Sequence, residues 1–230
     1  MYKFPKDLYT DVRIETTKTT DIFYENKKLN QNKTKVEKGA LIRVFDGERW
    51  YYSSTTDIDN IQNEIDELSK IAKPKKNIYD NPVVKRLEIN NYEELKYKDK
   101  IIFDINKNKK IDLIESYLVV FDEFEEVSDY KIIYKDTYQV KEIVSSKGTN
   151  IKFDVQNAYL AIRYNALVNK TPQMGAATIY EVEFDKLFNR QDYLRSEIKK
   201  DIEFAAKAVP VKPVKYKCIL SPITAGVFAH

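Results

Sequence analysis

The chain has 230 residues, 43% hydrophobic and 33% charged. That balance excludes a disordered chain and allows one large domain or two small ones. The 39 basic residues against 36 acidic ones leave a net charge of +3, too even for the concentrated basic excess that nucleic-acid binding requires.

Residues 8–54 read as about five consecutive strands. Val12, Ile14 and Thr16 alternate with Arg13 and Glu15, the period of a half-buried strand. Thr20 to Asn26 repeats the pattern around Ile22 and Tyr24. Leu29 to Glu37 is polar and lysine-bearing, as an edge strand protected from edge-to-edge pairing would be. Gly39 precedes the strand A-L-I-R-V-F, Asp46-Gly47 is a turn signal, and Arg49 to Ser54 returns antiparallel. Thr56 to Ala72 follows as a helix, with Ile58, Ile61, Ile65, Leu68 and Ala72 on one face. Thr56 with Asp59 resembles a capping box. Lys73 to Pro82, with two prolines and three lysines, is a linker or exposed loop.

Beyond it, Tyr97 to Asn106 and Lys110 to Phe124 both allow helix, and Leu118 to Phe121 also allows strand. Lys131 to Ser145, Thr149 to Asp154 and Tyr159 to Val168 are strands, with a turn at Ser146-Lys147-Gly148. Thr171 to Gly175 reads as a loop before a strand from Ala176 to Phe184. Asp185 to Ala208 is a second helix, with Leu187, Leu194, Ile198, Ile202 and Ala205 on its apolar stripe. Val214 to Leu220 reads as a buried strand. Ser221 and Pro222 then suit the cap and first position of a small apolar helix that runs to His230. The expected class is α+β: two antiparallel-meander subunits, each covered by a long helix, then a further strand-helix unit. The expected domains are residues 1–73 (meander plus helix), 74–83 (linker), 84–210 (central α+β domain) and 211–230 (the start of another domain).

No catalytic constellation is complete in these residues. His230 is the only histidine, so there is no histidine-based zinc cluster and no H-E-x-x-H. There is no G-x-S-x-G elbow, and the five glycines form no phosphate loop. Cys218 sits in an apolar run and reads as a buried, inert thiol. As the single cysteine it forms no internal disulfide, which fits a reducing cytoplasm. The acidic run Asp122 to Glu126 reads as a solvated helix end, since adjacent carboxylates point in different directions. No apolar run approaches the ~20 residues that span a bilayer, and Met1 to Thr10 lacks the apolar core of a signal peptide.

The closing run I-L-S-P-I-T-A-G-V-F-A-H, residues 219–230, resembles the entry to the catalytic part of the TldD/PmbA family of metallopeptidases. There a strand leads through a Ser/Pro turn into a helix bearing H-E-x-x-x-H. Residues 39–55, G-A-L-I-R-V-F-D-G-E-R-W-Y-Y-S-S-T, are similar to the family's G-x-x-x-R-x-F-x-G strand pair. Residues 143–151, I-V-S-S-K-G-T-N-I, are similar to its middle strand–turn–strand. The resemblance implies that the chain is the N-terminal portion of a zinc metallopeptidase, ending at the first histidine of the motif. His230 would be a zinc ligand in the full-length parent; the general-base glutamate, the second histidine and later ligands would lie beyond it. No cofactor is then expected in this fragment, which would be inactive alone.

The resemblance further implies a cytoplasmic homodimer or heterodimer with a TldD/PmbA-type partner. Its chamber would degrade or process unfolded, extended peptides, with no nucleic acid and no membrane involved. Edge strands near Leu29 to Glu37 and Ala176 to Phe184 could take a peptide or a partner by strand addition. The alternative reading is a non-catalytic binding or assembly module of a dimeric complex.

Overall fold

Alternation from Tyr9 onward carries one strand well past its expected break. The computed structural model describes residues 2–230. β1 (Tyr9–Glu25) runs for 17 residues. Thr16, Thr17, Thr19 and Thr20 lie between the two expected segments, and their branched side chains favour extended backbone throughout. β2 (Lys28–Phe45) returns beside β1, and β3 (Trp50–Thr55) pairs with the second half of β2. The five expected strands are therefore three. Asn26 and Lys27, both at positive φ, make the tight turn between β1 and β2. The Asp46-Gly47 turn forms as expected, with Gly47 at φ 100°.

The remaining strands are β4 (Asn91–Glu94), β5 (Val127–Ser145), β6 (Asn150–Val168) and β7 (Thr171–Glu181). β5 lies antiparallel to β1 from Asp11↔Ser145 to Glu25↔Lys131. The order is β3-β2-β1-β5-β6-β4, with β7 also beside β6. The α+β class holds, but the two expected meanders are halves of one seven-stranded sheet, antiparallel except where β4 runs parallel to β6. A period-two pattern reports a buried face; it carries no information on which strand lies alongside. Two further breaks also vanish. Thr149 to Asp154 and Tyr159 to Val168 are one strand, and the expected loop at Thr171 to Gly175 belongs to β7. The reversal is made instead by Asn169 and Lys170 at φ 50° and 66°.

The helices are α1 (Ile61–Ile71), the short α2 (Pro82–Lys85), α3 (Lys107–Leu118), α4 (Gln191–Lys207) and α5 (Pro222–Ala229). None is long and apolar enough to cross a membrane. α1 buries Ile61, Ile65 and Leu68 against Val12, Ile42 and Val44, each buried side chain being worth about 1.5–3 kcal/mol. The Thr56/Asp59 capping box does not form. Asn60 holds the cap position without a side-chain bond, and Thr55 Oγ1 accepts the Asp57 N–H at 3.0 Å. α3 and α4 cover the other half of the same face, setting Leu113, Ile114, Tyr117, Leu194 and Ile198 on Ile132, Leu160, Ile162 and Ile179. Each expected long helix thus covers antiparallel sheet.

Tyr97 to Asn106 is not helical apart from the 3-10 turn Ile102–Asp104. Sheet side chains satisfy its backbone instead. Asp154 Oδ2 accepts the Tyr97 N–H at 2.9 Å, and Gln156 Oε1 accepts the Ile102 N–H at 3.0 Å. Leu118 to Phe121 prolongs α3 as the 3-10 turn Val119–Glu123 rather than forming a strand. The second long helix starts late, at Gln191, because Asn189 at φ 57° interrupts the helical path. Gly175 of β7 leaves room for the ring of Tyr164, its cross-strand neighbour, which reaches over it to donate to Asp201 on α4 at 2.7 Å.

Candidate functional site

Val214 to Leu220 does not form the expected buried strand. Every residue of that run is exposed, Cys218 included. An apolar run favours burial, but a strand also needs a neighbouring edge to satisfy its backbone. No described strand pairs with it, so the thiol is open to solvent rather than packed. The segment then turns into α5 as expected. Ser221, at ψ 158°, caps the helix by accepting the Thr224 N–H at 3.3 Å, and Pro222 occupies the first turn, where no intrahelical donor is needed. α5 ends on His230, whose N–H donates to Gly226 O at 3.2 Å. The imidazole is exposed, as are Ile223, Val227 and Phe228, the last at 85%.

A zinc centre takes about three or four ligands. Among the described residues no three His, Cys, Asp or Glu side chains come together as a metal-holding group. His230 therefore offers a single ligand, and the residues of this chain do not by themselves fit zinc. The acidic run at Asp122 is explained by ion pairs: Asp122 bonds Lys27 at 2.6 Å, and Glu123 takes a fork from Arg195 of α4.

The most strongly ionic interior contact was not anticipated. Lys110 of α3 is 2% exposed and Asp136 of β5 is 0% exposed, and they pair at 2.6 Å. Lys110 Nζ also donates to Thr20 Oγ1 at 3.0 Å and to Phe103 O at 3.1 Å. Tyr134 donates its hydroxyl to Asp136 Oδ2 at 2.8 Å. Burial, and then the Asp136 charge, push the Tyr134 phenol far above its ordinary range. With both charges enclosed, the cluster pins α3 to the sheet and presents no reactive group to a substrate. One signal was readable: Lys110 stands on the stripe Lys110, Leu113, Ile114, Tyr117, where the helical period demands burial.

At the β2–β3 turn, Asp46 is a structural acceptor. Burial raises the cost of its charge, but the amides of Arg49 and Glu48, the Tyr51 hydroxyl and the Lys73 amide outweigh that and hold its pKa at about 2. Nearby, Arg43 grips the buried Asp11 through Nε at 2.9 Å and Nη2 at 2.6 Å while lying over the Trp50 ring.

Comparison with known proteins bears on the whole stretch. The family profile for PmbA/TldA metallopeptidase domain 1 matches residues 10–72, the run from β1 to the end of α1. Metalloprotease MJ0996 of Methanocaldococcus jannaschii is 24% identical over 227 residues, covering 96% of this chain and 50% of that protein. The chain thus spans about half the length of the curated relative it matches. Among solved structures, a proposed modulator of a DNA gyrase from Thermotoga maritima superposes with a TM-score of 0.70 at 15% identity, over 88% of this chain and 46% of that one. TldE from Thermococcus kodakarensis gives 0.64 at 10% identity, over 89% and 46%. These two likenesses establish the fold, and the sequence matches run along it in the same order. Residues 10–72 thus match the first domain of the PmbA/TldA metallopeptidases, and the chain as a whole resembles TldD/PmbA proteins in fold and in the order of its sequence.

Proposed function

We propose that this chain is the N-terminal part of a TldD/PmbA-like zinc metallopeptidase that cleaves unfolded peptides in the cytoplasm. The observation that carries the reading is the colinear match to a metalloprotease over nearly the whole chain. The exposed apolar surface of α5 supports it, since a helix with Ile223, Val227 and Phe228 in water calls for a further packing partner. On this reading His230 supplies one zinc ligand and residues outside this chain supply the rest. The 230 residues form a wall of the peptide chamber and have no activity alone. The protein works as a dimer, with itself or with a related subunit.

The experiment is metal analysis and peptide cleavage on the native protein beside the 230-residue chain. Zinc-dependent cleavage confined to the native protein is the expected result. Cleavage by the 230-residue chain itself would overturn the division of labour. A native protein without zinc and without peptidase activity would overturn the enzymatic reading and favour an assembly module.

A further inference from the structure

Between its two helical layers a stretch of β2 is open on both faces. Lys33 to Lys38 of β2 are all exposed, although their side chains alternate between the helix-bearing face and the outer one. β3 ends at Thr55, opposite Ala40. From Lys28 to Gly39 the backbone of β2 is therefore paired, among the described residues, with β1 alone, and alternate N–H and C=O groups of its other edge face water. An open recess of about 830 Å³ lies at the step where β3 stops; its charged lining is balanced, Arg13 and Lys38 against Glu15 and Glu37, so the excess of lysine lies along the β2 edge beside it rather than in the recess.

The charge along this edge is one-sided. On β2 itself Lys28, Lys33, Lys35 and Lys38 outnumber the single acid Glu37, while Glu25 and Asp21 of β1 stand opposite Lys28 and Lys33. Lys35 is matched to Glu37 at 2.7 Å. Lys28, Lys33 and Lys38 make no ion pair among the described residues. Val36, 60% exposed, is the apolar contact between them. A second copy of this edge would bring lysines to lysines, which disfavours self-pairing. An extended segment rich in carboxylates meets the opposite situation: its backbone completes the ladder and its acids face unpaired ammonium groups.

We propose that the free edge of β2, residues 33–39, binds an acidic extended peptide as an added strand in line with β3. The proposal rests on the reading of the protein as a peptide-handling one and adds a substrate preference and a location to it. The lysines on both faces accept acids at either alternate position of the incoming strand, so the site selects charge and extension rather than one sequence.

The test is fluorescence anisotropy with a labelled, acetylated heptapeptide of alternating glutamate and valine. Comparison peptides carry lysine for glutamate or N-methyl groups on alternate amides. The expected result is saturable binding of the acidic peptide to the 230-residue chain. Binding should be about tenfold or more weaker for the lysine peptide and for the Lys33→Glu/Lys38→Glu variant. It should weaken with added salt and weaken again for the N-methylated peptide. Circular dichroism confirms that the variant is folded. Equal binding of the acidic and lysine peptides, no binding of either, or binding indifferent to the charge reversal would each overturn the proposal. Self-association of the variant without peptide binding to the parent chain would also overturn it, because the lysines would then serve only to keep copies apart. Zinc-dependent cleavage by the native protein with no charge preference would sink this inference and leave the family reading standing; acidic-peptide binding without cleavage would do the reverse.

Discussion

Replacing Lys110 by methionine removes one partner of the buried ion pair while nearly preserving side-chain volume. Asp136 then keeps the Tyr134 hydroxyl as its only hydrogen-bond donor, because its Oδ1 has no protein partner even in the parent chain. It remains 0% exposed and carries an uncompensated charge. Breaking a buried pair in this way costs about 3–5 kcal/mol. In a domain of this size each kcal/mol lowers Tm by about 2–4 °C, so K110M should melt roughly 6–20 °C lower. Urea unfolding followed by circular dichroism gives the cost directly. The companion variant K110M/D136N removes the charge but keeps an acceptor for Tyr134. It should regain at least about 1 kcal/mol over K110M, the mark of coupled residues. A K110M cost below about 1 kcal/mol, or a double variant less stable than the single one, would refute the claim that this pair pins α3 to the sheet.

Other expectations follow from packing and titration. In G175A the added methyl overlaps the Tyr164 ring and Asp201, so the ring must move and its bond to Asp201 breaks. Overpacking and a lost charge-assisted bond together should cost about 2–5 kcal/mol, and the same substitution in a Tyr164→Leu background should cost clearly less in parallel urea titrations. Asp46 titrates at about 2 in the fold and near 3.9 when unfolded. Its contribution is present above pH ~4 and lost as pH falls toward about 2. Asp46→Ala should therefore be less stable than the parent at pH 7 and converge with it near pH 2; a constant gap would contradict the assignment. Tyr9, Tyr24, Tyr117 and Tyr138 are each raised to about 12, first by burial. Unfolded phenols ionise near 10, so their contribution is intact below pH ~10 and declines as pH climbs toward 12. Absorbance of phenolate should consequently rise together with unfolding rather than before it.

Local chemistry was legible where one residue type dictates one geometry. The Ser221-Pro222 start of α5 and the glycine turns at Gly47 and Gly148 appear as expected, as do the central stripe positions Ile61, Ile65 and Leu68 of α1 and Leu194 and Ile198 of α4. The lysine-bearing stretch Leu29 to Glu37 is indeed an edge. Errors arose where the outcome depends on residues far apart in sequence. Nothing in Asp11 to Glu25 names Ser145 to Lys131 as its neighbour, so the sequence alone suggests two meanders where there is one sheet. Tyr97 to Asn106 has helical potential, but Asp154 and Gln156 capture its amides from across the fold. Val214 to Leu220 has strand potential and no described edge to satisfy it. For the candidate site, the motif likeness around His230 pointed to the family, whereas the buried Lys110–Asp136 pair required treating a charged residue on an apolar stripe as a real core position.

The proposed function makes this chain one part of a zinc peptidase, with His230 as a single ligand of a shared centre. Zinc per chain and cleavage of an unfolded peptide, measured side by side on the native protein and on residues 1–230, test it most directly. On the proposed function the native protein retains about one zinc per chain and cleaves the peptide until a chelator is added. Residues 1–230 should do neither. Chelator-sensitive cleavage by residues 1–230, or a native protein that holds no zinc and leaves the peptide intact, would contradict it.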